Sequence, residues 1–202
     1  MPSLSLGRRS RRSSADTKAR IIEAAQAAFA SRGYAQSVLT EIADGAEVTA
    51  PLIIRYFGSK EGLFEEAFSQ CLATMLMLTA DPPEFGRMAI GLMSGDHLPA
   101  RRASAMLAHS IGDPRAREIA RRLIRQHVLT RLVGRIDDPD ADARAELILM
   151  LGVGYTTMRM VVPAEPVPEG EPDFLTDWLA EALQSIVDRR GRPSREAALK
   201  AA

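Results

Sequence analysis

The sequence predicts an all-α protein with a small N-terminal helix-turn-helix domain and a larger helical domain after it. Apolar residues recur at helical spacing through most of the 202 residues, and clusters of Gly, Pro and Asp separate the helical segments. Strand signals are almost absent, because the β-prone run LIIRYF lies between a helix cap and a glycine stop. A chain of this length can bury a substantial core.

The start of the chain predicts a basic arm followed by one helix. Residues 1–14 are rich in Arg and Ser with little to bury, so we expect a disordered arm. From Asp16 an apolar stripe follows helical spacing, and Gly33 ends that helix as a C-cap. The stripe consists of Ile21, Ile22, Ala25, Ala28 and Phe29.

Two short helices and one long helix are predicted next. LTEIADGA follows Ser37 or Val38, with Ser37 as the expected cap, and APLIIRYF follows Thr49 as its cap. Pro51 is compatible with a helix because it falls in the first turn. Ser59 caps a helix that runs from residue 60 to residue 79. A supporting helix, two short helices and a tight turn form a helix-turn-helix, which we assign to residues 15–60 and call the head.

The remaining segments predict a helical body over residues 61–190. Its later helices are expected over 84–94, 99–111, 114–135, 140–162 and 173–190. Asp137, Asp138, Asp140 and Asp142 are interpreted as an acidic, helix-capping turn. The loop PAEPVPEGEPD is Pro- and Glu-rich and therefore expected to be exposed and extended, and residues 191–202 are expected to be disordered.

Charge is distributed unevenly along a chain whose formal net charge is zero. Residues 1–60 hold nine Lys or Arg against five Asp or Glu, a net charge of +4, so the rest carries −4. A basic head on an acidic body predicts that the phosphate-facing surface is at the N-terminal end.

Several classes of protein are disfavoured by missing signals. The single Cys71 allows no disulfide within one chain and is expected to be a buried core residue. No signal peptide and no run of about 20 apolar residues is present, which favours a cytoplasmic protein without a membrane contact. We find no Gly-rich phosphate loop, nucleophile elbow or HExxH motif, so we expect no enzyme, no cofactor and no metal.

The second short helix is the expected DNA-recognition element. In a helix-turn-helix this helix lies in the major groove, with its N-terminal residues facing base edges. The residues so placed are Thr49, Ala50, Pro51, Leu52 and Arg55. Arg55 is the one side chain on this helix able to pair bidentately with guanine. A phosphate contact or an ion pair within the head is its alternative role.

Phosphate contacts are expected from residues around this helix. Tyr56 offers a hydroxyl, and Lys60 places an ammonium group at the opening of a helix, where free N–H groups also favour anions. A solvated lysine is the alternative for Lys60. Thr40 is a candidate for a base or phosphate contact. The RRSRR arm either reaches an adjacent minor groove or adds salt-dependent affinity without sequence preference.

Residues 17–68, which end in RYFGSKEGLF, resemble the N-terminal signature of TetR-type (tetracycline-repressor-like) transcriptional regulators. Tyr56, Phe57 and Lys60 match the family's Y-F-x-S-K-E segment, and Thr49 stands where the family has a Ser or Thr cap. The resemblance implies a homodimeric repressor of a palindromic operator that a small apolar molecule releases. It also implies a ligand-binding and dimerisation body whose last two long helices pack against their twins.

Three departures from the family pattern bear on DNA binding. Glu47 occupies a turn position that is typically Gly, where a left-handed conformation costs about 1 kcal/mol, unless Gly45 takes up the turn. Ile54 replaces a Tyr that touches phosphate, and Pro51 and Leu52 make the recognition face suited to thymine methyl groups. Glu47 and Ile54 motivate a second hypothesis, a helical interaction or small-molecule-binding module with weakened DNA binding.

Candidate residues in the body form two sets. A dimer interface is expected on the last two helices, with Trp178 as its anchor or else as a core residue. That interface set is Leu151, Tyr155, Trp178, Leu179, Leu183 and Ile186. A pliable apolar pocket is expected from methionines and two histidines, for which ordinary core packing is the alternative. The pocket set is Met75, Met88, Met106, His109, His127 and Met150.

Overall fold

A computed structural model describes residues 6–75, 84–94, 97–136, 138–161 and 173–188; within these ranges the side chains of 6–13, 74, 75, 94, 160 and 161 are not described. The described residues form helices and no strand, which confirms the predicted all-α class. The helices are α1 Leu6–Gln36, α2 Leu39–Gly45, α3 Ala50–Phe57, α4 Lys60–Met75, α5 Phe85–Ser94, α6 Leu98–Ser110, α7 Pro114–Ile124, α8 Thr130–Val133, α9 Ala141–Val161 and α10 Phe174–Asp188.

A π-helical turn, Arg125–Leu129, joins α7 to α8, where the sequence predicted one uninterrupted helix over 114–135. In the described ranges, none of the helices is both long and apolar enough to span a membrane. The predicted loop PAEPVPEGEPD and the predicted tail 191–202 lie outside the described residues, apart from Asp173.

The chain divides into two compact units. Unit 1 comprises Met1–Cys71 and Ala105–Arg121, and unit 2 comprises Leu72–Ser104 and Arg122–Ala202. This division differs from the predicted boundary after residue 60, because aromatic residues of α4 complete the core of unit 1. The ring of Phe64 lies 5.1 Å from that of Phe29 and 5.4 Å from that of Tyr34, both in edge-to-face geometry.

Helix α1 begins at Leu6, so the predicted disordered arm is wrong from residue 6 onward. Its Arg- and Ser-rich turns have little to bury, as the sequence indicates. Extending a helix that tertiary packing already stabilises requires no new nucleus, so these residues can join α1 without a core of their own. Residues 1–5 of the predicted arm lie outside the described residues.

The structure bears on the helix ends predicted at Gly33, Ser37 and Ser59. Gly33 interrupts the helical conformation with φ 77°, ψ 172°, although hydrogen-bonded turns continue to Gln36. The Gly62 N–H donates to Ser59 Oγ at 3.1 Å, so Ser59 caps α4. The prediction for Ser37 is wrong: its buried hydroxyl donates to the Gly33 carbonyl at 2.7 Å, and Val38 is the N-cap of α2.

The core of unit 1 brings α1, α2, α3 and α4 together. Ile21 and Phe29 of α1, Ile42 of α2 and Ile53 of α3 are each at most 2% exposed. Cys71 near the end of α4 is fully buried, as predicted for a core residue. Helices α2 and α3 therefore rest on α1 and α4 through the apolar faces that the sequence pattern identified.

The core of unit 2 is formed mainly by α5, α8, α9 and α10. Its buried members include Phe85, Ala89, Ile90, Leu132, Ala145, Ile148 and Leu183. Helix α5 approaches α10 closely at Gly86, whose N–H donates to Gln184 Oε1 at 2.9 Å. A Cβ atom at Gly86 would lie 2.0 Å from the Ala180 carbonyl oxygen, so this approach requires glycine.

The acidic turn before α9 holds a buried cation. Arg144 Nη2 lies 3.2 Å from Asp138 Oδ2 and 3.6 Å from Asp140 Oδ2, and the Arg144 side chain is 9% exposed. The Asp140 N–H donates to Asp138 Oδ1 at 3.1 Å, which fits the predicted capping role. Asp137 lies outside the described residues. The two carboxylates therefore pair with the buried charge of Arg144 at the start of α9.

Candidate nucleic-acid interface and ligand cavity

The turn between α2 and α3 determines how α3 is presented. Glu47 adopts φ 52°, the left-handed conformation, so the alternative in which Gly45 takes up the turn is wrong. Gly45 is instead the last residue of α2. The strain of about 1 kcal/mol falls on Glu47, whose Oε2 atom accepts a hydrogen bond from Arg20 Nη1 at 3.0 Å. The turn therefore forms despite the missing glycine.

Helix α3 turns one face to solvent and buries the other. Ile53 is fully buried, whereas Pro51, Ile54 and Arg55 are exposed. Thr49 occupies the N-cap position with φ −102°, ψ 147°, as predicted, but its hydroxyl makes no capping hydrogen bond. Of the remaining predicted contact residues, Ala50 and Leu52 are half-buried on α3 and Thr40 is exposed on α2.

Arg55 is exposed in the last turn of α3. Within the described part of the chain it makes no hydrogen bond or ion pair, so the alternative of an ion pair inside the head is not formed. Its guanidinium group retains all five N–H donors for an external acceptor. Both a guanine edge and a phosphate match this planar donor set.

Tyr56 connects α3 to the N-terminal part of α1. Its hydroxyl and the Ser14 hydroxyl share a hydrogen bond at 2.9 Å. Ser14 is exposed and Tyr56 is half-buried, so this hydroxyl pair lies at the solvent boundary. Tyr56 can exchange a serine partner for a phosphate oxygen at little cost, because both are hydrogen-bonding oxygens.

Lys60 is held against the end of α1. Its Nζ atom lies 4.4 Å from the centroid of the Tyr34 ring and donates to the Ala35 carbonyl at 3.4 Å. Burial lowers the pKa of Lys60 from its usual value. Burial, followed by a hydrogen bond to Glu61, raises the pKa of Tyr34 to about 12. Lys60 is therefore a positioned lysine and not the fully solvated one of the alternative interpretation.

Two residues near this surface were missed at the sequence level. Lys18 Nζ pairs with Glu66 Oε1 at 3.0 Å and lies 5.7 Å from the centroid of the Phe57 ring. Gly62 makes the α3–α4 junction possible, since a Cβ atom there would lie 2.2 Å from the Phe57 carbonyl oxygen. Gly62 did carry a signal, because a glycine within a helix costs about 1 kcal/mol relative to alanine.

Unit 2 contains a cavity of about 90 Å³. Helices α5, α6, α8 and α9 and the π-helical turn contribute to its wall. The apolar part of the wall includes Phe85, Ala89, Met93, Val128, Leu132 and Ile148. Gly152 of α9 also lines it, and a Cβ atom there would lie 2.5 Å from Met93 Cε. An apolar cavity with few polar groups is the usual form of a small-molecule site.

The polar residues in the lining of this cavity are Ser104, Thr156, Arg131 and Arg135. Ser104 Oγ donates to Thr156 Oγ1 at 3.0 Å, and Thr156 Oγ1 donates to the Gly152 carbonyl at 2.6 Å. Arg131 and Arg135 line the cavity while remaining exposed, so they lie where it meets solvent. Among the residues that the structure describes, no acidic side chain lines the cavity.

The predicted pocket residues do not line this cavity. None of those whose side chains are described lines the wall: Met88, Met106, His109, His127 and Met150. Met106 is fully buried in the core, and Met150 is 64% exposed in a different depression. The side chain of Met75 lies outside the described residues. Methionine content shows adaptable packing, but the rotation of each helix decides which methionine faces a cavity.

Helices α9 and α10 form an open apolar groove of about 590 Å³, which we call the α9–α10 groove. Its lining residues include Met150, Leu151, Gly154, Tyr155, Met158, Leu175, Trp178 and Leu179. Trp178 is 77% exposed, so the alternative of a core tryptophan is wrong. Such a contiguous exposed apolar surface is typical of a protein-binding site.

Two residues of the predicted interface set face inward instead. Leu183 is fully buried in the core of unit 2, and Ile186 packs partly buried against that core. Helix α10 is apolar around more than one face, so one side packs on α5 while the other carries Trp178. Tyr155 is buried beside the groove, and its hydroxyl has no partner within the described part of the molecule.

The described residues contain no group of three or more His, Cys, Asp and Glu side chains that could hold a metal ion. His109 belongs to unit 1 and His127 to unit 2, in different helices.

Two family models match this chain. One, described as bacterial regulatory proteins of the tetR family, matches residues 21–67. The other, described as a tetracyclin repressor-like C-terminal domain, matches residues 84–187, just over half of the chain. A search of curated protein sequences finds no match.

Solved structures share the fold at low sequence identity. A transcriptional regulator from Rhodococcus sp. Rha1 is 22% identical with a TM-score of 0.60, covering 84% of this chain and 93% of its own. The multidrug binding protein EbrR, solved with ethidium, is 16% identical with a TM-score of 0.63, covering 86% and 99%. NalD, the secondary repressor of the MexAB-OprM efflux pump in Pseudomonas aeruginosa, is 19% identical with a TM-score of 0.61, covering 85% and 95%.

Proposed function

The chain belongs to the TetR family of transcriptional regulators, with an N-terminal DNA-binding domain and a C-terminal ligand-binding domain, and we propose that it is a homodimeric repressor of a palindromic operator. A small molecule bound in the cavity of unit 2 releases it from DNA. We place its action in the cytoplasm, where a bacterial regulator meets its DNA, and assign it binding and not catalysis.

The exposed Arg55 carries the proposal for DNA recognition. It lies on the solvent face of the second helix of a helix-turn-helix, the helix that enters the major groove in this motif. Thr49, Pro51 and Leu52 precede it on the part of the helix that faces base edges. Tyr56 and Lys60 flank α3 and supply the phosphate contacts, Lys60 from the first turn of α4.

A charge-matched pair of variants tests this assignment. Arg55→Ala removes the proposed base contact, whereas Arg117→Ala removes an arginine that is also exposed, on α7 in the same unit. Fluorescence anisotropy with the chain's own upstream DNA should show about 5- to 150-fold weaker binding for Arg55→Ala, from the roughly 1–3 kcal/mol of a bidentate contact. Arg117→Ala should bind within about twofold of wild type. Equal affinities for all three proteins would remove Arg55 from the interface.

The α9–α10 groove carries the proposal for the dimer. A second copy of the chain provides the same apolar surface, and a two-fold interface pairs one patch with itself. Trp178, exposed at the groove, is the residue type that most often anchors such interfaces. The unpartnered hydroxyl of buried Tyr155 would gain a hydrogen-bonding group from the second copy. Two heads held together can then contact two half-sites of a palindrome.

Two helical segments connect the cavity with unit 1 along the chain. Helix α6 carries Ser104 at the cavity and His109, whose Cβ lies 3.0 Å from where a Cβ would stand on Gly33. The segment from α7 to α8 carries Val128 at the cavity and Arg115, whose Nη1 pairs with Glu61 Oε1 at 2.9 Å. We propose that ligand binding favours a placement of these helices that is incompatible with operator binding. The size of this shift is set by how much more tightly the ligand binds the DNA-free conformation than the DNA-bound one.

The alternative function, an interaction module with weakened DNA binding, loses one of its two motivations. Glu47 adopts the conformation that the family turn needs, so the head keeps its turn. Ile54 remains exposed on α3 and contributes no phosphate contact. We therefore expect this residue to reduce affinity without abolishing DNA recognition.

A further inference from the structure

The charge of the cavity lining points to a class of effector. Among the described lining residues, those that carry charge are Arg131 and Arg135, and both lie where the cavity meets solvent. The remainder of the wall is apolar, apart from the Ser104 and Thr156 hydroxyls. A ligand in this site therefore meets an apolar interior at one end and positive charge at the other.

We propose that the effector is an organic acid with a short apolar tail, held by its anionic group at Arg131 and Arg135 with its tail inside the cavity. This inference rests on the proposed function, because it assigns the ligand of the same regulatory site. Guanidinium groups bind carboxylates and phosphates through paired N–H donors, so either acid group fits the charge. A cationic ligand would meet the positive charge of Arg131, and the described residues of the lining offer it no carboxylate.

The size of the cavity limits the tail. Its volume of about 90 Å³ is below the ~150 Å³ of a cavity that holds benzene. The tail is therefore shorter than about six carbons. Ser104 adds an acceptor lone pair, since its hydroxyl hydrogen is already donated to Thr156. A linear alkyl chain fits this lining better than a polar one, because few hydrogen-bonding groups are available to it.

A matched set of small probes tests the charge. Thermal unfolding is followed for the full chain with butanoate, butyl phosphate, butan-1-ol and butylamine, each at the same concentration and ionic strength. An acid present at ten times its Kd should raise the Tm by about 3–5 °C. The alcohol should raise it less, and the amine should not raise it. Butanoate and butyl phosphate distinguish a carboxylate from a phosphate effector. Equal shifts for amine and acid would overturn the proposal.

Two variants locate the binding. Arg131→Gln should weaken butanoate binding at least tenfold, whereas Arg125→Gln, an exposed arginine in the π-helical turn that does not line the cavity, should leave it unchanged. Gly152→Ala keeps every charge but forces Met93 Cε away from a methyl group, so it should reduce the affinity for longer tails. If Arg125→Gln weakens binding as much as Arg131→Gln, the acid binds by general charge and not at the cavity.

Tail length gives an independent measurement. From acetate upward, each added CH₂ should tighten binding about fourfold, from about 0.8 kcal/mol per buried CH₂. The gain should stop before a six-carbon tail. A gain that continues unchanged through octanoate would place the tail elsewhere. DNA binding measured on the same protein separates the proposed ligand class from the proposed DNA-binding function. If the protein binds DNA but no acid, only the ligand class is contradicted.

Discussion

A single methyl group added to α5 should have opposite effects at two positions of that helix. Gly86 is buried against α10, and a Cβ atom there would lie 2.0 Å from the Ala180 carbonyl oxygen and 2.9 Å from the Gln184 backbone nitrogen. Gly91 is exposed on the same helix, and apart from its chain neighbours and the backbone of its own helix no described atom would lie within 4 Å of a Cβ atom there. The pair therefore tests whether α5 packs on α10 as described.

The expected magnitudes follow from these distances. The atoms near Gly86 belong to the backbone and cannot rotate away, so in Gly86→Ala the two helices must separate by roughly 1.5 Å to reach van der Waals contact. Overpacking of this kind costs about 1–3 kcal/mol. Weakening of the Gly86–Gln184 hydrogen bond adds about 1 kcal/mol, and alanine recovers about 0.5–1 kcal/mol of helix propensity. The net loss is about 2 kcal/mol.

Thermal and urea unfolding at equal protein concentration measure both variants. Gly86→Ala should lower the Tm by about 4–8 °C, and Gly91→Ala should raise it by about 1–3 °C. Effects of the same sign and similar size at the two positions would contradict the α5–α10 packing, because helix propensity alone cannot distinguish them.

Three further predictions concern the interface and the head. Trp178→Glu should convert the dimer to a monomer in sedimentation equilibrium. Ile111 is 68% exposed but lies outside the α9–α10 groove, so Ile111→Glu should leave the protein dimeric. If both variants are dimers, the proposed interface is refuted. Glu47→Gly should stabilise the protein by about 0.5–1 kcal/mol in urea unfolding, because relief of left-handed strain exceeds the exposed ion pair with Arg20. Glu47→Ala loses the pair but keeps the strain, so a stabilised alanine variant would show that φ 52° is not strained. Gly62→Ala should reduce DNA affinity more than tenfold with helix content unchanged, because its methyl group would lie 2.2 Å from the Phe57 carbonyl oxygen and displace α3. If the variant binds DNA with wild-type affinity, the α3–α4 junction does not position α3.

The head could be predicted because its signals are local. The stop at Gly33, the position of Thr49 before α3 and the cap at Ser59 depend on a few neighbouring residues. Ser37 was predicted as the N-cap of α2, but its hydroxyl can bond either to the backbone of α2 or to the end of α1. It bonds backwards to the Gly33 carbonyl instead of forwards to α2.

The sites in the body could not be predicted in the same way. Trp178 and Leu183 both belong to the apolar surface of α10, yet they point about 140° apart around the helix at 100° per residue. Sequence alone does not show which of the two faces the core, because that depends on where α5 packs. The arginines of the cavity lie near the end of α8, where nothing local distinguishes them from other surface arginines.

The central claim is that two copies of α3 bind a palindrome, with Arg55 contacting a base in each half-site. Selection of bound sequences from a random DNA pool tests it directly, using wild type and Arg55→Ala in parallel. The wild-type protein should enrich a palindrome whose half-sites are spaced by about one helical turn or a multiple of it. Arg55→Ala should lose the preference for guanine at one symmetric pair of positions and keep the others. An enriched sequence without two-fold symmetry, or the same palindrome from both proteins, would contradict the account.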